Sequence, residues 1–221
     1  MSRPAIPKIM HKIWIGNPMP SHLQASCLRW EETHPDWQFM LWTETQIDDL
    51  NLQNRALYDQ AEKLVPRDAV EQFRADIVRY EVLLAHGGMY TDADTYPLRR
   101  IDPALEGHAE FAAYEDQRWI GNTYIGVVPN HPIMRTLVSE MPENVTRRRG
   151  SRPNKLSGPQ YLTPIWRRFG GYVAPQRSWY PYSYTDVKRG TVPNVFDTAV
   201  YAVHSWDHTK RVMEARTSGG H

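Results

Sequence analysis

Phe73 to Thr95 reads FRADIVRYEVLLAHGGMYTDADT. Together with Val70 upstream, its apolar side chains Phe73, Ile77, Tyr80 and Leu84 step by three, four, three and four residues. That spacing predicts one buried stripe on an α-helix beginning after Pro66. Gly87-Gly88 ends the helix, with the left-handed freedom of a C-terminal cap. Met89-Tyr90-Thr91 then forms a short strand that runs straight into Asp92-Ala93-Asp94. In open α/β sheets ligands collect beyond the carboxyl ends of strands. Two Asp one residue apart at such an end can face a single hard cation, and carboxylate oxygens suit Mg²⁺ or Mn²⁺. A lone D-x-D is equally the composition of a solvated turn; the stripe helix, Gly-Gly and strand before it favour a site. Asp76 and Arg79 lie three apart on the helix flank. They read either as a surface ion pair, contributing a few tenths of a kcal/mol, or as donors and acceptors at the mouth of the site.

Upstream, IPKIMHKIWIG from Ile6 to Gly16 puts apolar groups on both faces, the pattern of a buried strand. Ser21 is placed to cap a helix carrying Leu23, Cys27, Leu28 and Trp30, closed by Pro35. Gln38 to Trp42 is a second strand, and helical segments fill Thr45 to Lys63. Strand, helix, strand, helix opens a βαβ arrangement. Downstream, strands are expected at Phe111–Tyr114, Thr123–Val128 and Thr198–His204, and helices at Pro132–Met141 and Gln160–Phe169. Glu143 to Ser157 reads as one long polar loop. The expected fold is a single α/β domain over residues 1–216, a Rossmann-like, mostly parallel mixed sheet flanked by helices, followed by a disordered tail, 217–221.

The chain has 221 residues, 41% of them apolar, with 26 Lys and Arg against 25 Asp and Glu. A net charge of +1 implies no bulk polyanion or polycation as partner. One Cys excludes intramolecular disulfides and a Cys-cluster zinc site. No apolar run approaches the ~20 residues of a membrane span, and MSRPAIPK lacks the apolar centre of a signal peptide; a cytoplasmic protein is the expectation. Nine His contain no H-E-x-x-H, and the single i,i+4 pair, His204 and His208, falls at a strand end, which argues against zinc.

IPKIMHKIWIG followed by FRADIVRYEVLLAHGGMYTDADT resembles the sugar-binding region of family 32 glycosyltransferases. That group includes bacterial polysaccharide sugar transferases and yeast α-1,6-mannosyltransferases, and over this block it is similar to the clostridial glucosylating toxins. The likeness covers roughly residues 6–128. Beyond them it continues in Ser157-Gly158-Pro159, like the family's T/S-G-P turn, and in His204-Ser205-Trp206, although the spacing after His204 departs from the family's longer pattern. The resemblance implies a GT-A fold, a nucleotide-sugar donor (UDP- or GDP-linked), Mn²⁺ or Mg²⁺, and transfer to a hydroxyl acceptor with retention of anomeric configuration. It divides the domain into a donor and metal half, 6–100, and an acceptor-side half, 101–210. Carried over by position, Asp92 contacts the donor and Asp94 ligates the metal, with Asp92 and His204 as further candidate ligands. Asp76 and Arg79 hold the transferred sugar, and Tyr90 lines the same pocket. Trp14 borders the nucleobase, the Ile13 backbone reads its edge, and Trp206 meets the diphosphate.

Arg79 and the metal would stabilise the charge left on the departing phosphate, and no residue stands out as a nucleophile. On the acceptor side Glu115 and Asp116 either position a hydroxyl or form a surface turn. Trp119 either stacks on a sugar or packs, and Asn122 either binds a hydroxyl or marks a turn. Trp30, Trp37 and Trp42 belong to the core. Arg147-Arg148-Arg149, with Arg152 and Lys155, is either a solvated loop or a guide for an anionic acceptor such as a phosphorylated glycan or a nucleic acid. A phosphotransferase reading of D-x-D fails, because Tyr96 stands where that chemistry wants Thr or Val and the motif comes too late in the chain. A sugar-binding module without turnover is the alternative of another class, against which the joint presence of Asp76, Arg79, Asp92 and Asp94 argues.

Overall fold

A computed structural model describes residues 5–191, 195 and 199–207. The elements run β1 (Ile9–Ile13), α1 (Ser21–Thr33), β2 (Gln38–Trp42), α2 (Glu44–Asp48), α3 (Arg55–Asp59), α4 (Ala61–Leu64) and α5 (Val70–His86). They continue β3 (Gly88–Thr91), β4 (Thr95–Pro97), α6 (Asp102–Leu105), β5 (Glu110–Tyr114), β6 (Ile120–Val127) and α7 (Pro132–Arg147). Last come α8 (Pro153–Leu156), α9 (Pro159–Phe169), β7 (Val173–Ala174), α10 (Gln176–Trp179), α11 (Tyr184–Arg189) and β8 (Ala202–His204). Six strands form one sheet in the order β2-β1-β3-β6-β5-β7, and β4 pairs with β8 in a separate two-stranded ladder. Every neighbouring pair in the large sheet is parallel except those made by β6, which runs antiparallel to β3 and β5.

Successive side chains along a strand face opposite ways, and here the two faces feed two cores. Met89, Tyr124 and Phe111 join Trp30, Trp37 and Trp179 on one side. Tyr90, Ile125 and Ala112 join Phe73, Ile77, Leu137 and Trp166 on the other. The sheet is therefore covered on both faces, as a largely parallel sheet must be. The apolar stripe predicted for α5 lies in the second core, and Trp30, Trp37 and Trp42 are all buried.

The helical segments expected over Thr45–Lys63 are present as three short helices, and the loop between α2 and α3 is held open by side chains: Arg55 Nη2 donates to the Ile47 and Leu50 carbonyls, and Glu81 accepts the Gln53 and Asn54 amides. Other local expectations are corrected. Ser21 is the first residue of α1 and makes no cap; Pro20 holds that position without a side-chain bond. The polar loop expected over Glu143–Ser157 is mostly helical. Asn144 and Val145 continue the buried face of α7 past Pro142, and Asn144 Nδ2 ties it to the Lys155 and Leu156 carbonyls. Of the strand expected over Thr198–His204, Ala202–His204 forms β8; Thr198, the proposed tail and His208 lie outside the described residues.

Gly87 and Gly88 do end α5, at φ +63° and +90°, although ψ at Gly87 is −153°, away from the left-handed helical region. Packing explains the pair as much as the turn does. A Cβ on Gly88 would lie 2.5 Å from the Ile9 carbonyl oxygen, and one on Gly87 would lie 2.6 Å from Pro129 N. Gly88→Ala is expected to destabilise the fold by about 3 kcal/mol, from backbone strain plus overpacking against an unyielding strand. Urea unfolding measures this; a loss below about 1 kcal/mol would mean that β1 and β3 can separate freely.

Candidate active site

The carboxyl ends of β1 and β3 and the start of β6 meet at one edge of the sheet, where the antiparallel β6 interrupts the parallel order. A cleft of about 900 Å³ opens there. The chain leaves β3 at Thr91, so Asp92 and Asp94 fall at its floor. Asp92 is firmly held. Its Oδ1 accepts from Arg79 Nη2 at 2.9 Å and the Tyr90 hydroxyl at 2.7 Å, and its Oδ2 accepts from the Thr123 hydroxyl at 2.7 Å. Asp94 accepts from His204 Nε2 at 2.9 Å and from the Asp207 amide at 2.9 Å. His204 arrives through the β4–β8 ladder, which sets it opposite Thr95. Ligand atoms of Asp92, Asp94 and His204 all lie within 4.8 Å of one another, close enough to share one ion.

The Asp76–Arg79 pair belongs to the interior and not to the surface: the two side chains are 1% and 4% exposed and 3.2 Å apart. Asp76 also accepts from Asn122 Nδ2 at 2.8 Å and the Ser157 hydroxyl at 2.6 Å. Arg79 donates to the Asn122 carbonyl at 2.6 Å and lies 4.2 Å from the Tyr90 ring centre. Asn122 is thus bound into the site wall. Ser157, in the Ser-Gly-Pro turn, is a site residue through Asp76, and Thr123 is one through Asp92. Local spacing assigns neither a role, because Thr123 is recruited by the register of β6 and Ser157 by the packing of the turn after α8 against α5.

Ile13, Trp14, Asp76, Arg79, Tyr90 and Glu115 line the cleft, as do Asn122, His204 and Trp206. Trp206 takes a left-handed backbone (φ +61°), unusual for a bulky residue, and its ring lies 4.3 Å from that of His204. Asp116 and Trp119 are not brought there. Asp116 accepts the Arg118 and Trp119 amides, and the Trp119 carbonyl closes the same turn through the Glu115 amide. Arg147 and Arg148 line a separate surface depression with Glu140 and Glu143. From the basic cluster, Arg152 alone lines the main cleft, paired with Asp68 at 2.9 Å.

Burial opposes charge on Asp76, Asp94 and Glu115, and the partners decide the outcome. For Asp94 the His204 imidazole and the Asp207 amide outweigh burial and bring the carboxyl down to about 2. Burial alone would lower His204, but Asp94, Asp92 and Glu115 raise it above its ordinary value. Burial lifts Asp76 to about 6 against the pull of Arg79 and Ser157. It lifts Glu115, whose carboxylate has no protein hydrogen bond among the described residues, to about 7. His204 Nε2 cannot donate to Asp94 and hold an ion at once, so an ion bound there would displace that hydrogen bond.

Residues 20–112 match the family described as "Glycosyltransferase sugar-binding region containing DXD motif". Inositol phosphoceramide mannosyltransferase 3 of Schizosaccharomyces pombe is 29% identical over 73% of this chain and 45% of its own length. Mannosyl phosphorylinositol ceramide synthase SUR1 of Saccharomyces cerevisiae is 26% identical over 91% of this chain and 49% of its own. The chain spans about half the length of these curated relatives. Among solved structures, the PaToxG glycosyltransferase superposes with a TM-score of 0.60 at 20% identity, covering 75% of this chain and 70% of that one. The UDP-bound glycosyltransferase domain of the YGT toxin gives 0.51 at 12% identity, over 77% and 79%. No helix among the described residues is long and apolar enough to cross a membrane.

A carboxyl with a raised pKa stabilises the fold below its unfolded value and loses that contribution as pH rises through its folded value. For Glu115 the window runs from the usual 4.5 to about 7. Relative to the parent, Glu115→Gln should therefore gain about 2 kcal/mol of stability between pH 4.5 and 7.5. Paired urea titrations at the two pH values measure it; an unchanged difference would show that the carboxylate is well solvated.

Proposed function

We propose that the chain is a metal-dependent glycosyltransferase of the family whose DXD sugar-binding region matches residues 20–112. It moves a hexose from a nucleotide sugar to an acceptor hydroxyl with retention of configuration. The sheet and its cleft follow the GT-A architecture of the toxin glycosyltransferases. The single observation that carries the reading is the convergence of Asp92, Asp94 and His204 within 4.8 Å at the carboxyl end of β3. Two carboxylates and an imidazole are a donor set for Mn²⁺, and fit Mg²⁺ less well, since that ion favours oxygen. Bound there, the ion supplies positive charge to a nucleoside diphosphate as it leaves.

The chain's own residues do the rest. Trp14 and the Ile13 backbone border the base at the end of β1, and Trp206 lies toward the diphosphate. Asp76, Arg79 and Tyr90 form the wall against the transferred sugar. Arg79 is locked by its carboxylate partners, so it acts as a fixed positive charge and not as a mobile donor. Glu115 and Asn122 face the cleft where an acceptor hydroxyl would enter. Relatives named for mannose transfer support mannose as the sugar, and the UDP-bound toxin domain supports a nucleoside diphosphate in the cleft. A glycan or glycolipid hydroxyl is the acceptor class these relatives favour.

Two measurements test this. Saturation with the correct donor and Mn²⁺ should stabilise the protein by about 2.7 kcal/mol at a hundredfold excess over Kd; a panel of UDP- and GDP-sugars that leaves Tm unmoved with Mn²⁺ present would overturn it. Asp94→Asn, which keeps the side-chain shape, should lower Mn²⁺-dependent transfer or donor hydrolysis by roughly a hundredfold or more. Undiminished turnover in that variant would remove Asp94 from the machinery, and binding without any turnover in the parent would favour a binding module.

A further inference from the structure

Lys12 sits on β1, between β2 and β3, and only 3% of it is exposed. A buried ammonium is costly unless paired, yet no carboxylate lies within ion-pair distance of it among the described residues. Its Nζ donates instead to the Asp92 carbonyl at 3.0 Å and the Thr95 hydroxyl at 3.2 Å, and it lies 5.0 Å from the centre of the Trp30 ring. Thr95 is the hub of this cluster. Its hydroxyl donates to the Asp92 carbonyl at 2.7 Å, and its carbonyl accepts from Trp30 Nε1 at 3.0 Å and from the Ser26 hydroxyl. Thr95 also opens β4, in register with His204.

The cation is therefore fastened to both ends of the Asp92–Thr95 turn, through the Asp92 carbonyl and the Thr95 hydroxyl, close to the side chains that would meet an ion. We propose that Lys12 is a positioning residue for the divalent cation: it fixes the turn so that Asp92, Asp94 and His204 converge. The inference rests on the metal site proposed above. Preorganisation outweighs charge repulsion here, because the ammonium is directed at the carbonyl and hydroxyl that shape the turn. Its partners are backbone and hydroxyl oxygens, so a neutral donor of similar reach keeps much of the effect, whereas an apolar side chain of equal length does not.

The test is a titration of the whole chain with Mn²⁺ alone, followed by electron paramagnetic resonance, with circular dichroism as the check on folding. Lys12→Met should weaken Mn²⁺ binding by roughly 10- to 100-fold, the range for groups that orient metal ligands, and Lys12→Gln should recover most of the loss. In metal-free protein, amide hydrogen exchange at residues 92–95 should quicken in Lys12→Met. Folded Lys12→Met that binds Mn²⁺ as tightly as the parent overturns the inference while leaving the metal site intact. If Lys12→Met does not fold, Thr95→Val decides: weakened Mn²⁺ binding supports the pinned turn, and unchanged binding overturns it. A parent protein that takes up no Mn²⁺ overturns the metal site and this inference together.

Discussion

The Arg79 guanidinium is the constraint around which the site is organised. It is almost wholly buried, and a cation in that position demands compensation. Asp76 on the same helix, Asp92 beyond β3 and the Asn122 carbonyl on β6 supply it, with the Tyr90 ring against one face. One side chain thereby ties a helix and two strands together at the edge where the cleft opens. Removing any partner leaves charge without compensation in a region closed to water, which is why these residues act as a unit. The benefit to chemistry is preorganisation: the Asp92 carboxylate is fixed in place before anything binds.

Charge balance points the same way. The carboxylates of Asp76, Asp92, Asp94 and Glu115 line one cleft with Arg79, and the Lys12 ammonium lies against the turn that carries two of them. The His204 imidazole held against Asp94 meets part of that negative charge when protonated. A cation bound in the proposed site would take the place of the proton that His204 Nε2 directs at Asp94.

The α5 stripe, the strand that follows and the two acids beyond it could be read from local spacing, because a buried helix stripe and a strand end are local patterns. β2 was legible to the residue, and so was the placement of three tryptophans in the core. What sequence spacing cannot carry is pairing across the sheet. Thr123 and Lys12 reach the site only through strand order and register, and each is an ordinary residue in its own neighbourhood, while Ser157, in a turn the sequence does mark, meets Asp76 only because the turn after α8 packs against α5. The burial of Asp76 and Arg79 was hidden for the same reason: an i,i+3 pair looks alike on a surface and under a second helix. Asp116 and Trp119 share a hairpin turn with Glu115, yet the turn sends only Glu115 into the cleft. The helix through Pro142 shows an apolar face outweighing a breaker.

The β4–β8 ladder has one more consequence. His204 meets Asp94 across 110 residues of chain, so the third candidate ligand comes from a strand made long after the two acids. Contacts of such separation carry a large loop-closure cost and form late on the folding path. The two acids can be in place while the imidazole is still absent. The Asp94–His204 contact thus reports that β8 has docked, and a cation in the proposed site would fasten that strand to the first half of the described chain.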